Sequence, residues 1–276
     1  SGLKVSEIIY GNWLTHASQV ADEHAISTVK AALEGGVTTF DTADVYANQA
    51  AETVLGNALK GQRREGLEIL TKVYWPVSEK GPNDTGLSRK HIMESINGSL
   101  KRLGTDYVDL YQAHRFDYET PLEETMLALD HIVRSGRALY VGISSYNSKR
   151  TREAHAILKS LGTPLLIHQP SYSMINRWIE EDGLIDTLEE LGVGSIVFSP
   201  LAQGMLTSKY LGGVPEDARA SKGGSLGQHL LSADNIERIR GLDAIATAQA
   251  IGLLQTQGAS ALDGLREKLQ PLPGIT

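Results

Sequence analysis

The sequence predicts an α/β protein, and within that class a (β/α)8 TIM barrel that forms one domain over residues 1–276. Three observations lead to this prediction. Short β-branched runs alternate with amphipathic stretches, polar residues stand at the carboxyl ends of these runs, and the first strand-to-helix turn contains no glycine. Such alternation is typical of a parallel sheet with crossover helices.

The apolar runs are short and rich in Val, Ile and Leu, as buried parallel strands are. They cover residues 36–41, 68–73, 107–114, 138–144, 165–169 and 194–199. The stretches between them have helical apolar spacing, and several end at a glycine, a common residue just beyond a helix. They cover residues 22–34, 51–60, 88–103, 121–135 and 148–161.

The polar residues at the strand ends favour a barrel over an open doubly wound sheet. In a barrel these ends meet on one rim, where such enzymes build their sites. An open sheet that bound a dinucleotide would carry glycines in its first turn, here residues 41–46. The polar residues are Asp41, Lys72, His114, Ser144, Gln169 and Ser199.

From about residue 201 onward the alternation weakens, and no clear seventh or eighth strand follows. The glycine-rich stretch 211–226 predicts a surface loop, of the kind that often covers a ligand on a barrel rim. A helix is predicted at 232–249. We therefore expect an irregular or shortened C-terminal closure of the barrel.

Composition excludes several classes of function. The formal net charge of -7 provides no basic field for nucleic acid. The absence of cysteine excludes disulfides, thiolate metal sites and cysteine nucleophiles. No apolar run approaches the roughly 18 residues that span a bilayer, and no signal pattern begins the chain. We expect a cytoplasmic protein that binds neither membranes nor nucleic acid.

Four rim residues form a candidate proton-transfer group. Reducing a carbonyl requires a hydride from a cofactor and a proton that the protein can supply. Tyr46 is the candidate donor, because a neighbouring Lys72 ammonium would stabilise its phenolate and lower its pKa. Asp41 would hold Lys72, and His114 would donate a hydrogen bond to the substrate carbonyl and share the proton movement. Each residue alone is more often a salt-bridge, rim or packing residue.

Two other histidines carry less weight. His91 stands at the start of a predicted helix, and we expect it to face water. His168 lies within an apolar strand and is expected to be a hydrogen-bonded core residue, not a metal ligand. No metal site is predicted.

Several segments together resemble the aldo-keto reductase superfamily, in the branch of the voltage-gated potassium-channel β subunits and bacterial L-glyceraldehyde 3-phosphate reductases. They are GVTTFDTADVY (36–46), LTK (70–72), SINGSLKRL (95–103), DYVDLYQAH (106–114), LIHQPSY (166–172) and NRW (176–178). The resemblance implies an NADP-dependent oxidoreductase that reduces small aldehydes or ketones, L-glyceraldehyde 3-phosphate or related short aldehydes among them.

Two alternatives stay open: a redox-sensing regulatory subunit like the channel β subunits, and a barrel that has lost nucleotide binding. His114 favours turnover, since the channel subunits carry another residue there. A homo-oligomer is expected by analogy only.

The resemblance also implies NADPH (NADP+) bound in an extended form across the rim. Asp41, Gly11, Asn12 and Trp13 would lie near the nicotinamide and the substrate, and Ser144 and Gln169 would hold the carboxamide. The remaining implied cofactor residues are Phe198 on the nicotinamide ring, Ser199, Pro200, Leu201, Gly204, Lys209 and Arg219 at the pyrophosphate, and Gly258, Ser260 and Glu267 at the adenosine phosphate.

The C-terminus departs from the family pattern. Ala261, Gly264 and Lys268 stand where the family has arginine, glutamine and asparagine. Residues 244–257 are also too few for both the penultimate helix and the eighth strand.

Overall fold

The computed structural model describes residues 1–13, 20–77, 81–216 and 228–257. The chain divides into two compact units. The first comprises Ser1–Pro170 and Asp182–Ile196, and the described part of the second comprises residues 171–181, 197–216 and 228–257. That residues 1–276 form one domain stays a prediction.

The first unit contains a parallel sheet whose strands pair in the order in which they follow along the chain. The strands are β1 (Tyr10–Gly11), β2 (Thr39–Asp41), β3 (Glu68–Val73), β4 (Val108–Ala113), β5 (Ala138–Ser144), β6 (Leu165–Gln169) and β7 (Gly194–Ser195). Strands β2, β4 and β6 are buried at every residue. Because both faces of the sheet are covered, their polar residues, among them Thr39, Asp109 and Gln112, are buried as well.

The sheet curls into an incomplete barrel. Asp41 ends β2 and Gln169 ends β6, four strands further along the sheet. In a flat sheet, four steps of about 4.8 Å would separate them by roughly 19 Å. Instead, Gln169 Nε2 donates a hydrogen bond to Asp41 Oδ2 at 3.1 Å. The two side chains meet in the barrel interior, and the predicted fold class is confirmed.

Helices follow the strands of the first unit and recur in the second. They are α1 (Asp22–Glu34), α2 (Ala50–Leu59), α3 (Arg89–Leu103), α4 (Leu122–Arg134), α5 (Ser148–Leu161), α6 (Trp178–Glu181), α7 (Leu184–Leu191) and α8 (Ala233–Gln257). Ser88 and Asn147 cap the first turns of α3 and α5 by accepting a backbone N–H. None of the helices within the described ranges is long and apolar enough to cross a membrane.

Helices α2 and α3 approach each other closely at Gly56. A Cβ at this position would lie 2.6 Å from the carbonyl oxygen of Leu103, so any side chain would push the helices apart. The close approach places Glu52 of α2 beside Arg102 of α3, where their side chains form an ion pair.

Three elements differ from the sequence prediction. The two-residue strand β1 was not predicted, because two residues are too short to show alternation. Strand β7 covers only the first two residues of the predicted run 194–199. Helix α8 runs on to Gln257 and therefore fills 244–257, so no eighth strand forms in that stretch.

Candidate active site

Neighbouring strands bring the four predicted proton-transfer residues together. Asp41 is the last residue of β2, Lys72 is the penultimate residue of β3, and His114 directly follows β4. Tyr46 lies in the loop after β2, and backbone bonds tie the start of that loop to β3 through Thr42 N–H and the carbonyl of Leu70. All four therefore lie at the carboxyl ends of adjacent parallel strands.

Lys72 is the centre of this group. Its Nζ donates hydrogen bonds to Asp41 Oδ2 and to the carbonyl oxygen of Thr42, each at 2.7 Å, and to the hydroxyl of Tyr46 at 3.4 Å. The side chain is 2% exposed. Burial disfavours the ammonium, but the Asp41 carboxylate and the Tyr46 oxygen outweigh it, and the pKa of Lys72 is raised. Lys72 is therefore a permanent cation beside the phenol.

The pKa of Tyr46 is raised as well. Burial is the largest cause, and the Lys72 charge opposes it without reversing it. The expectation of a lowered pKa for Tyr46 is therefore wrong, because desolvation of the phenolate exceeds the attraction of the ammonium. At neutral pH Tyr46 is protonated, which is the form that a proton donor requires.

His114 is neutral at physiological pH. Burial, then the Lys72 charge and then the Arg115 charge lower its pKa well below the ordinary value. Its ring lies 5.8 Å from the Tyr46 ring and 4.7 Å from the Trp75 ring, both edge to face. A neutral imidazole donates one N–H and has no acidic proton to lose, so it can orient a carbonyl but is a poor proton source.

The residues predicted for the carboxamide lie at the same strand ends. Gln169 bonds to Asp41 as described, and its Oε1 accepts from Gln112 Nε2 at 3.3 Å. Ser144 Oγ donates to the carbonyl oxygen of Gln169 at 2.7 Å. The second oxygen of Asp41, Oδ1, is buried without a hydrogen-bond partner among the described residues. Ser144, Gln169 and Asp41 therefore form one polar group.

The predicted residues near the N-terminus lie next to Asp41. Gly11 pairs with Asp41 between β1 and β2. Asn12 is buried; its N–H donates to the carbonyl of Asp41, and its Nδ2 donates to the carbonyl of Ala51 at 3.2 Å. Trp13 is largely exposed. The structure thus brings Gly11 and Asn12 to the proton-transfer group through the backbone.

The second unit contains a further set of predicted cofactor residues. Phe198 is 38% exposed and pairs with Ser171, and Ser199 has a positive φ of 57°. The turn that follows has positive φ at Gly204, and exposed Lys209 lies in a short 3-10 turn. Pro200 and Leu201 connect these positions. Arg219, Gly258, Ser260 and Glu267 lie outside the described residues.

A buried charge cluster behind the loop of Tyr46 was missed by sequence reasoning. Glu52 is fully buried; Arg102 Nε donates to its Oε2 at 2.7 Å, and Thr71 Oγ1 donates to its Oε1 at 2.5 Å. Asp44, also fully buried, accepts a short hydrogen bond from Ser95 Oγ. Burial raises the pKa of Asp44 to about 7, against the opposing effect of Ser95. We call these five residues the support cluster.

Trp75 and Arg115 are two further site residues that were not predicted. Trp75 follows β3 and contacts the ring of His114. The Arg115 guanidinium carbon lies 5.4 Å from the centre of the Trp75 ring, within cation–π range. The available signal was position: each residue comes one to three places after a predicted site residue at a strand end.

Two other histidines, His168 and His91, are buried in the first unit. His168 is fully buried in β6, its Nε2 lies 2.9 Å from the carbonyl of Tyr146, and burial lowers its pKa to about 4. This agrees with the expected core role. His91, expected to face water, is only 5% exposed, because it lies on the inner side of the first turn of α3. Within the described part of the chain, no group of side chains has the composition and spacing of a metal site.

Comparison with known proteins gives both a family and relatives. The chain matches the model of the Aldo/keto reductase family over residues 7–255. It is 39% identical to L-glyceraldehyde 3-phosphate reductase of Escherichia coli (strain K12) over 305 residues, covering 100% of this chain and 86% of the relative. It is 38% identical over 261 residues to proteins named "Probable voltage-gated potassium channel subunit beta" in Oryza sativa subsp. japonica and Arabidopsis thaliana, covering 92% of this chain and 79% of each.

The alignment with the bacterial reductase is longer than the chain itself. It runs over 305 positions against 276 residues, so the relative has about 29 residues without a counterpart here.

Proposed function

Because the chain belongs to the aldo/keto reductase family and is an oxidoreductase, we propose that it reduces small aldehydes and ketones to alcohols with NADPH, and that Tyr46 is the general acid. One observation carries the proposal. The Lys72 ammonium, held by Asp41, donates to the hydroxyl of Tyr46, so a buried cation faces the atom that would become negative.

The proton step follows from this geometry. A substrate carbonyl oxygen accepts the Tyr46 proton while hydride arrives at the carbonyl carbon, and the alcohol forms. Tyr46 is left as a phenolate, and the fixed charge of Lys72 offsets part of the cost of burying that negative charge. Lys72 cannot drift away, since Asp41 Oδ2 and the Thr42 carbonyl hold two of its three N–H groups. The phenolate of Tyr46 then takes a proton from solvent.

The role that we propose for His114 is orientation. Its neutral ring donates an N–H to the same carbonyl oxygen, which polarises the carbonyl and fixes it beside Tyr46. The low pKa of His114 makes it a poor proton source, so the proton is assigned to Tyr46. Trp75 limits the position of the His114 ring by edge contact.

The polar group at the strand ends fits a nicotinamide cofactor. Asp41 Oδ1 is a buried acceptor without a partner among the described residues, and the Gln169 amide nitrogen has a second N–H. A carboxamide or a ribose hydroxyl can donate a hydrogen bond to Asp41 Oδ1 and accept one from the Gln169 amide nitrogen. NADPH would supply hydride at this place. The pyrophosphate role of Ser199, Pro200, Leu201, Gly204 and Lys209 stays a prediction.

Short aldehydes are the proposed substrate class. The bacterial relative is named for L-glyceraldehyde 3-phosphate. We propose L-glyceraldehyde 3-phosphate and related small aldehydes as the first compounds to test. A cytoplasmic location and assembly into a homo-oligomer stay predictions.

The test is NADPH oxidation by the purified chain with a panel of short aldehydes, followed by absorbance at the NADPH band, with NADH in parallel. We expect turnover with at least one aldehyde and a preference for NADPH. Tight binding of NADPH without oxidation by any aldehyde would contradict the reductase proposal.

A regulatory subunit is the second candidate, and the similarity to two plant proteins named as potassium channel subunits favours it. The two candidates differ in the fate of the cofactor. A reductase releases NADP+ on every turnover, whereas a sensor retains it. Stopped-flow measurement of NADP+ release decides between them.

A further inference from the structure

We propose that Arg115 recognises an anionic group, phosphate or carboxylate, on the aldehyde that this enzyme reduces. The inference rests on the proposed function and adds a specificity residue to it. It starts from a row of side chains that follow the carboxyl ends of β2, β3 and β4. Consecutive members of the row, Tyr46, His114, Trp75 and Arg115, are separated by 5.8, 4.7 and 5.4 Å.

Arg115 is an exposed cation without a carboxylate partner among the described residues. Most other arginines of that part of the chain form ion pairs, among them Arg102 with Glu52 and Arg152 with Glu190. Arg115 also makes no hydrogen bond there. Its guanidinium carbon lies 5.4 Å from the centre of the Trp75 ring, and its N–H donors have no acceptor among the described residues, so they are available to a ligand.

The charge of Arg115 affects the pKa values of nearby side chains, including His114. It contributes to the lowered pKa of His114 and opposes the raised pKa of Tyr74. The whole chain has a net charge of -7, so an anionic substrate needs a local cation of this kind. Lys72 cannot serve, because Asp41, Thr42 and Tyr46 take its three N–H groups.

The guanidinium fork matches both phosphate and carboxylate oxygens. A substrate whose carbonyl lies between Tyr46 and His114 and whose chain passes Trp75 brings its anionic end to Arg115. An uncharged aldehyde of the same length gains nothing from this contact. Arg115 therefore determines how much kcat/KM for an anionic aldehyde exceeds kcat/KM for an uncharged one.

The test compares kcat and KM for two matched pairs: glyceraldehyde 3-phosphate against glyceraldehyde, and succinic semialdehyde against butanal. In Arg115→Met the anionic-to-uncharged ratio of kcat/KM is expected to fall about 10- to 100-fold, mainly through KM, since a charged hydrogen bond is lost. Arg115→Lys keeps the positive charge but lacks the planar guanidinium. Its ratio is expected to lie between that of Arg115→Met and that of the unaltered enzyme. A larger fall in this ratio for the glyceraldehyde pair identifies phosphate as the anion, and a larger fall for the succinic semialdehyde pair identifies carboxylate.

Arg63→Met is the matched control, because Arg63 is also exposed but precedes β3 at the opposite end of the strands; its ratio is expected to equal that of the unaltered enzyme. An unchanged ratio in Arg115→Met, or equal losses on both members of each pair, would overturn the assignment while leaving the reductase intact. Absence of turnover with every aldehyde would overturn the proposed function and this inference together.

Discussion

Two buried ion pairs are reached from adjacent residues of β3, and they lie on opposite faces of the sheet. Lys72 pairs with Asp41 in the barrel interior, whereas Thr71 bonds to Glu52, which pairs with Arg102 between the sheet and its helices. Both pairs have N–O distances of 2.7 Å. They differ in the next neighbour: Lys72 donates to the hydroxyl of Tyr46, and Arg102 donates to Gln49 and Ser99, which do not titrate.

Under the proposed function, the two ion pairs differ in role because different side chains lie beside them. The Lys72–Asp41 pair lies beside the Tyr46 hydroxyl at the carboxyl ends of the strands. The pair in the support cluster holds α2 against α3 behind the same loop. Mutations of the two pairs should therefore have different effects. Loss of the Lys72–Asp41 pair should lower both turnover and stability, and loss of the Arg102–Glu52 pair should lower stability alone.

The largest effect is expected from Lys72→Met. The variant leaves the buried Asp41 carboxylate unpaired, and breaking such a pair costs about 3–5 kcal/mol of unfolding free energy. Turnover should also fall by at least about 100-fold, because no cation then stabilises the phenolate of Tyr46. Urea unfolding and single-turnover kinetics measure the two losses.

The double variant Lys72→Met/Asp41→Asn is the control for stability. It removes both charges, so most of the unfolding free energy should return while turnover stays low. Recovery of turnover along with stability would mean that Lys72 acts only on folding.

Arg102→Met should cost a similar unfolding free energy, about 3–5 kcal/mol, since Glu52 becomes an unpaired buried carboxylate. The folded fraction is expected to retain its kcat, because Arg102 makes no contact with Tyr46, Lys72 or His114. The measurement is urea unfolding together with kcat at a temperature where the variant is folded. A kcat loss as large as that of Lys72→Met would erase the distinction between the two pairs.

A smaller, pH-dependent effect is expected from Asp44→Asn. Folded Asp44 keeps its proton up to a pKa of about 7, while the unfolded chain releases it near 3.8. The stability that this proton contributes is full below the lower pKa and is lost as pH rises through the higher one, by about 4 kcal/mol in all.

Between pH 4 and pH 7 the Asp44→Asn variant should therefore lose less unfolding free energy than the unaltered protein. Urea unfolding at several pH values measures the slope, with exposed Asp106→Asn as the control that keeps the original slope. Parallel slopes for Asp44→Asn and the unaltered protein would show that Asp44 is ionised in the fold.

Local patterns predicted most elements of the barrel and the residues that meet around Lys72. Strands β3, β5 and β6 and helices α1 and α5 begin and end where periodicity placed them, because each is long enough to show its own pattern. The convergence of Asp41, Lys72 and His114 followed from a general rule on parallel strand ends.

The support cluster could not be predicted in this way. Glu52 and Arg102 are 50 residues apart on different helices, and their contact depends on how closely α2 and α3 pack at Gly56. The pKa direction of Tyr46 was missed for a related reason, since the depth of burial is a property of the packed loop and not of its sequence.

The assignment of Tyr46 as the proton donor is tested most directly by Tyr46→Phe, with kcat and NADPH affinity measured on the same preparation. The substitution removes one hydroxyl and keeps the ring beside His114. We expect kcat to fall by about 100- to 10,000-fold, with NADPH binding within experimental error of the unaltered enzyme. A variant that retains its kcat would contradict the assignment of Tyr46 as the general acid.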